Sequence, residues 1–272
     1  MPELPDVEAV RRALLKSGVA GKKIAAFEVV RAPGKLVRTL QDVSEEEFRE
    51  AVVGSFFEDF MRKGKFLIAP LSTGEAVVFH FMLSGWLDYF PSEPEVTEKA
   101  RRHAKLRFAF DDGSVLLFTD PRNMGRVFLI EKGEFERAGV LARMGVEPLS
   151  GEFTLDRLKS VIDEGAGKTA KDLITDQEKI AGIGNIYSDE ILRRAGIRPD
   201  RRAGTLTADE VERLYKAIPA VLREGLAEVE AGREVHSLAW RKKGALCPDC
   251  GGEVAAVKKG ATHYYWCPRC QK

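Results

Sequence analysis

The chain has 272 residues, 44% hydrophobic and 31% charged, with a formal net charge of +1. That is enough to bury a sizeable core and long enough for two domains, and the overall charge does not announce a nucleic-acid binder. No apolar run approaches the ~18 residues of a membrane span, and acids at Glu3, Asp6 and Glu8 exclude a signal-peptide pattern, so a cytoplasmic protein is expected.

The first eight residues are Met1-Pro2-Glu3-Leu4-Pro5-Asp6-Val7-Glu8. A methionine before proline is normally trimmed, which would leave Pro2 with a secondary α-amine. Such an amine has a pKa of about 7.7–8.0, against roughly 10.4 for lysine, so a useful fraction is nucleophilic at neutral pH. Its attack on a sugar carbon gives an iminium, an electron sink that needs no further protonation. Glu3 supplies an adjacent acid or base. The same composition also describes an ordinary frayed terminus.

Pro5–Lys16 reads as a helix, with Asp6 and Glu8 at its positive end and Arg11, Arg12 and Lys16 toward its negative end. Strands are predicted at Lys23–Val30, Gly54–Arg62, Lys65–Leu71, Ala76–Phe81, Trp86–Phe90, Lys105–Phe110 and Ser114–Thr119. Ser44–Ala51 is a short helix with a Ser44/Glu47 capping box. Ser92–Lys99, rich in acids and proline, reads as a loop, and Lys132–Ser150 as a connector containing a short helix. Beyond Thr154 the periodicity is helical, at Leu155–Asp163, Ala170–Ile174, Ile186–Ala195 and Ala208–Glu230. A β-rich half followed by an α-rich half predicts an α+β chain, its first part an antiparallel β-sandwich or barrel.

Two stretches carry further chemistry. Ala181-Gly-Ile-Gly-Asn-Ile-Tyr-Ser-Asp-Glu190 is a glycine-rich turn opening a helix, where backbone N–H groups can meet an anion; a plain helix-connecting turn has the same look. Cys247-Pro-Asp-Cys250 and Cys267-Pro-Arg-Cys270, sixteen residues apart, fit a structural zinc site of four thiolates around a hairpin turning at Lys258-Lys259-Gly260. His263 as a ligand, or redox thiols, are the competing readings. From His236 to Lys272 there are seven Lys/Arg against two acids, a local excess that suits a polyanion or a solvated tail.

The opening octapeptide, the glycine turn and the terminal four-cysteine finger, in that order, resemble the formamidopyrimidine-DNA glycosylase/endonuclease VIII family over nearly the whole chain. The resemblance implies an N-terminal β-sandwich catalytic domain (1–133), a linker (134–150), a helix–two-turn–helix DNA-binding domain (151–236) and a zinc finger (237–272). It implies a monomeric, bacterial-type base-excision-repair enzyme, associated with the nucleoid through its DNA. Such an enzyme is a glycosylase-type hydrolase and an AP lyase, acting on double-stranded DNA with a damaged or abasic site. Its proline Schiff base and β,δ-elimination remove formamidopyrimidines, 8-oxoguanine or oxidised pyrimidines. A protein that binds damaged or abasic DNA without cutting it is the alternative.

Residue by residue, the resemblance makes Pro2 the nucleophile and Glu3 the acid at the sugar ring oxygen. Asp6 stands where the family usually has Glu. Lys65, with Lys63 nearby, matches a lysine reaching phosphate, and His80 matches a histidine on the DNA backbone. Lys171 and Asn185 match phosphate-holding positions. Arg122 matches the arginine facing the orphaned base. Leu83 and Met124 match wedge residues, though either could be core. Leu83 replaces a more usual Met, and Asn123-Met124 a usual Arg-Phe. The finger hairpin lacks its usual Arg, and Lys259 is placed in that role. The segment from Leu226 to Cys247 is shorter than the purine-capping loop of many relatives, which leans toward pyrimidines or ring-opened purines.

Overall fold

The computed structural model describes residues 2–30, 39–131, 139–232, 239–260 and 262–272. The chain divides into two compact units, one of residues 1–2 and 7–142, the other of residues 3–6 and 143–272. The opening helix α1 (Leu4–Ser17) therefore contributes its first residues to the second unit and the rest to the first.

Among the described residues of the first unit, nine strands form two sheets. One runs β1 (Ile24–Val29), β7 (Ala104–Phe110), β8 (Val115–Thr119), β6 (Trp86–Phe90). The other runs β2 (Leu40–Gln41), β9 (Arg126–Ile130), β5 (Ala76–His80), β4 (Phe66–Pro70), β3 (Met61–Lys63). Every pairing is antiparallel except β2 with β9. β7 alternates buried and half-buried residues, the period-2 signature of a strand with one face on the core. The shared core is aromatic, with Phe27, Phe48, Phe57, Phe79, Phe108 and Phe118 all buried. Helix α2 (Glu45–Val52) begins with the expected capping box and sinks Phe48 and Val52 into that core.

Three expectations change. Gly54–Arg62 is not one strand: Phe56 and Phe57 make isolated bridges, and only Met61–Lys63 joins a ladder. Ser92–Lys99 is not simply a loop. Thr97 caps a helix, α3 (Glu98–His103), through its side chain and the N–H of Ala100. Ala100 of this helix, with Val96 before it and Ala104 after it, packs on Val115 and Leu117. This explains why β8 is buried on both faces instead of alternating. Two strands, β2 and β9, were not predicted; β2 has only two residues. Of the connector, residues 132–138 lie outside the described residues, and a short helix α4 (Gly139–Ala142) follows.

The second unit is helical, with α5 (Leu155–Glu164), α6 (Ala170–Ile174), α7 (Asn185–Ala195) and α8 (Ala208–Glu230), then the hairpin β10 (Ala255–Lys259) and β11 (Thr262–Trp266). Helix α7 is its axis: Tyr187 through Arg193 are all buried. Leu4 joins the core formed by α5, α6, α7 and α8. Among the described residues no helix is long and apolar enough to cross a membrane.

Candidate active site and metal centre

Helix α7 starts without a side-chain cap, on Gly184, so its first N–H groups need acceptors from elsewhere. Glu3 supplies them. It is fully buried, and its carboxylate accepts from the N–H groups of Gly184 (2.7 Å), Ile186 (2.7 Å) and Tyr187 (3.3 Å). The N–H of Leu4 donates to the carbonyl of Gly182 at 3.0 Å. The glycines admit this strand of chain. A Cβ on Gly184 would lie 2.4 Å from the Glu3 carboxyl, and one on Gly182 would lie 2.7 Å from Leu4. Gln177 braces the turn, donating to the carbonyls of Thr175 and Ile183 and accepting from the N–H of Gly182. The anion at this helix N-terminus is thus the protein's own third residue.

Asp6 closes the first turn of α1 by accepting the N–H of Glu3 at 2.8 Å. Burial pushes its carboxyl up to about 6; the Glu3 N–H pulls it down, and the Glu3 charge raises it again. Among the described residues, the buried Tyr187 hydroxyl and Asn185 Oδ1 on the first turn of α7 have no hydrogen-bond partner.

Lys171 and Asn185 come together. The Lys171 ammonium is buried and donates to Asp189, to the Asn185 carbonyl (3.4 Å) and to the His263 carbonyl of the hairpin (3.1 Å). Arg241 reaches the same two partners, Asp189 at 2.9 Å and the Asn185 carbonyl at 3.2 Å, and its guanidinium lies 5.3 Å from the Tyr265 ring centre. Neither Asp189 nor Arg241 was singled out from sequence; the signal available was an acid on the buried face of α7. Lys259 lies elsewhere on the hairpin, paired with Asp172 at 2.6 Å and near the Tyr264 ring.

In the first unit, Lys65 follows the β3–β4 turn at Gly64, which has φ 56°. His80 ends β5, its ring centre 4.5 Å from that of Phe66 and tilted 58° to it, and its Nδ1 accepts the N–H of Met82 at 3.2 Å. Burial pushes His80 down to about 4, helped by the charges of Lys65 and Arg126. It is therefore a neutral imidazole with Nε2 as its donor. Arg122 and Met124 sit on the turn after β8, both exposed, Met124 by 42%. Leu83 is half-buried on the turn after β5. Glu8, also unassigned from sequence, gathers Arg11, Arg12 and Arg62. Burial alone would raise its pKa, but the hydrogen bonds from Arg11 and Arg12 win and hold it at about 2.

The four cysteine sulfurs lie within 4.8 Å of one another, with Cys247–Cys270 at 3.9 Å and Cys250–Cys267 at 3.5 Å. Zn–S bonds of about 2.3 Å in a tetrahedron place sulfurs roughly 3.8 Å apart, so the set fits one structural zinc ion and leaves no open position. Among the described residues His263 is not part of this cluster. The finger is tied to the helices by Gln271, which accepts from the Cys267 N–H and donates to the Ile197 carbonyl, and by Trp240, which donates to Glu190.

Three family models match. Residues 1–127 match the formamidopyrimidine-DNA glycosylase N-terminal domain, 144–237 its H2TH domain, and 244–272 the zinc finger found in FPG and IleRS. The chain is 35% identical, over its whole length, to formamidopyrimidine-DNA glycosylases of Pelotomaculum thermopropionicum and Heliobacterium modesticaldum, covering 99% and 100% of them. Among solved structures it resembles the Lactococcus lactis formamidopyrimidine-DNA glycosylase bound to AP-site DNA (TM-score 0.85, 26% identity, 99% of both chains). It also resembles MutM with carbocyclic 8-oxo-G DNA (TM-score 0.83, 26% identity, 100% of both chains). Sequence and fold agree from the first residue to the last, and the chain belongs to the formamidopyrimidine-DNA glycosylase family.

Proposed function

We propose that this protein is a bifunctional DNA glycosylase and AP lyase of base excision repair, using the amine of Pro2 once Met1 is removed. The observation that carries this reading is the seat of Glu3. Three N–H bonds fix the residue next to Pro2, and a nucleophile held in place gains much of the advantage of an intramolecular reaction. The Pro2 lone pair forms a bond to C1′ of a nucleotide flipped from the duplex. The glycosidic C–N bond breaks, and its electron pair leaves with the base, which takes up a proton. The proton shed by the Pro2 nitrogen passes through the Glu3 carboxylate to the ring oxygen as the sugar ring opens to a cationic iminium, while the departing base takes its proton from water. Loss of the C2′ proton then expels the 3′ phosphate, a second elimination expels the 5′ phosphate, and water releases the enzyme. Asp6, poised at about 6, holds a proton beside Glu3 for exchange during these steps.

Phosphate is drawn to the Lys171–Arg241–Asp189 group, where two cations face one carboxylate and Asn185 stands beside them; Lys171, whose three N–H groups are already engaged, acts through its charge. The surplus positive charge suits a phosphodiester, and the finger offers it two cations, Arg241 shared with Asp189 and Lys259 shared with Asp172. His80 would donate from a neutral ring, and Lys65 would reach a phosphate near the lesion. Leu83, Arg122 and Met124 would enter the space vacated by the flipped base.

Substrate choice follows from what closes over that base. Helix α8 ends at Glu230, and Trp240 is already anchored to Glu190. Residues 233–238 lie outside the described residues; by sequence only nine residues, 231–239, separate Glu230 from Trp240. Intact 8-oxoguanine needs edge contacts to be told from guanine, whereas ring-opened purines and non-planar pyrimidines are already weakly stacked. Single-turnover excision from otherwise identical duplexes should be faster for formamidopyrimidine or dihydrouracil than for 8-oxoguanine, with both strand breaks following. Fastest removal of 8-oxoguanine opposite cytosine would overturn the choice of lesion. Tight binding with no strand break on any duplex would make the protein a non-cutting binder of damaged DNA.

A further inference from the structure

The turn that carries Arg122 and Met124 is closed by a carboxylate. Asp120 is fully buried, and among the described residues it pairs with no cation. Its oxygens accept from the N–H groups of Arg122 (3.0 Å), Met124 (2.6 Å) and Gly125 (2.6 Å) and from the hydroxyl of Ser84. A buried carboxylate is costly unless donors surround it, and here the donors come from two separate loops. Ser84 belongs to the turn after β5, next to Leu83, and its Oγ also accepts the Arg122 N–H at 3.3 Å.

Both loops are stiff in their own right. Met82 and Asn123 hold left-handed backbone without being glycine, at φ 51° and 54°, a conformation that asparagine adopts readily but methionine only where the surroundings impose it. A Cβ on Gly85 would lie 2.7 Å from the Phe81 carbonyl oxygen, and one on Gly125 would lie 2.6 Å from the Phe118 ring. The result is two sharp turns, fastened at their bases to each other and to the sandwich core. Leu83, Arg122 and Met124 stand at their tips.

We propose that Asp120 is a positioning residue for opening the duplex. Through Ser84 and the turn amides it makes Leu83, Arg122 and Met124 one preformed wedge, so that neither loop has to be ordered at each encounter with DNA. An apolar wedge must separate stacked bases to enter, and a side chain on a loose loop would yield before the stack does. This rests on the reading that those three side chains enter the duplex. It adds that their rigidity, and not only their identity, is required, and that one carboxylate supplies it.

The test uses the full-length, zinc-loaded protein and an Asp120→Asn variant. Asparagine keeps the shape but must turn an NH2 group toward N–H donors. Folding is checked first by melting temperature and zinc content. Opening is followed by the fluorescence of 2-aminopurine placed beside dihydrouracil in a duplex. Borohydride trapping on a single-stranded abasic oligonucleotide, where nothing has to be unstacked, reports the chemistry. Asp120→Asn should slow opening at least tenfold and leave single-strand trapping within twofold. Met124→Ala should slow opening too, and adding it to Asp120→Asn should cost little more, because residues acting through one another are not additive. Equal loss on duplex and single strand, or two effects that multiply, would overturn the proposal.

If Asp120→Asn does not fold, Ser84→Ala takes its place. It should slow opening severalfold with trapping unchanged, and normal opening would overturn the proposal. If Leu83→Ala and Met124→Ala both leave opening unchanged, the wedge reading fails and this inference with it. If they slow it and Asp120→Asn does not, only the inference about Asp120 fails.

Discussion

Asp6 and Glu8 lie two residues apart on α1 and are pushed in opposite directions. Asp6 rises from 3.8 to about 6 because it is buried, and Glu8 falls from 4.5 to about 2 because arginines surround it against the cost of burial. The signs give two separate windows. The folded protein binds the Asp6 proton more tightly than the unfolded chain, so that contribution is present below about pH 4 and is lost as pH rises through 6. Ionised Glu8 is favoured in the fold, so its contribution is present above about 4.5 and is lost as pH falls through 2. Urea midpoints measured from pH 2 to 7 should therefore lose their decline between 4 and 6 in Asp6→Asn. In Glu8→Gln they should lose their decline below 4. A pH–rate limb near 6 should also vanish in Asp6→Asn, and its survival there would place that titration on another group. His80, already neutral, should add no limb near 6.5.

At this scale the sequence drew attention to Pro2, Glu3 and Asp6, because an acid beside a terminal proline is a recognisable pattern, and the structure adds the contacts of Glu3 and Asp6. Their partners stayed hidden. Glu3 is held by backbone N–H groups, which carry no residue identity, and Asp120 is likewise caged mostly by amides. Asp189 and Arg241 come from segments far apart in sequence, so only folding shows that they meet.

Among the elements, the glycine turn before α7 matters most. Its pattern fits an anion site or a plain helix-connecting turn, and the group that its N–H groups meet is the Glu3 carboxyl. Gly184→Ala should push a methyl into the Glu3 carboxyl. The expected cost is about 1–3 kcal/mol of stability and about 100-fold in excision, the scale of loss when a reacting group is displaced by an ångström. Normal excision by Gly184→Ala would show that Glu3 does not need its seat. Long helices with clear periodicity were legible nearly to the residue, as α7 and α8 show. Helix α3 was not, because its acids and Pro94 suggested a loop while Val96, Ala100 and Ala104 gave only three apolar positions. The two-residue β2 offers no period to read and exists because β9 provides an edge.

For the whole molecule, the order of β-rich then α-rich segments and the cysteine spacing were enough to set the architecture. Composition was not: a net charge of +1 conceals a basic finger behind acids spread along the rest. Removing the zinc should be felt beyond the finger, since the hairpin offers its His263 carbonyl to Lys171 and Arg241 shares Asp189 with it. One zinc per chain is expected by elemental analysis. Cys250→Ser or chelation should weaken binding to damaged and undamaged duplex alike, because phosphate contacts do not read sequence. Undiminished binding by zinc-free protein would separate the finger from DNA.

The account as a whole depends on which atom attacks C1′. Borohydride reduction in the presence of an abasic duplex, followed by proteolysis and mass spectrometry of the cross-linked peptide, identifies that atom. The prediction is one covalent adduct per chain at the nitrogen of residue 2, abolished when Met1 is retained and strongly reduced in Pro2→Gly. An adduct mapped to Lys65, or one that forms undiminished with Met1 in place, would contradict it.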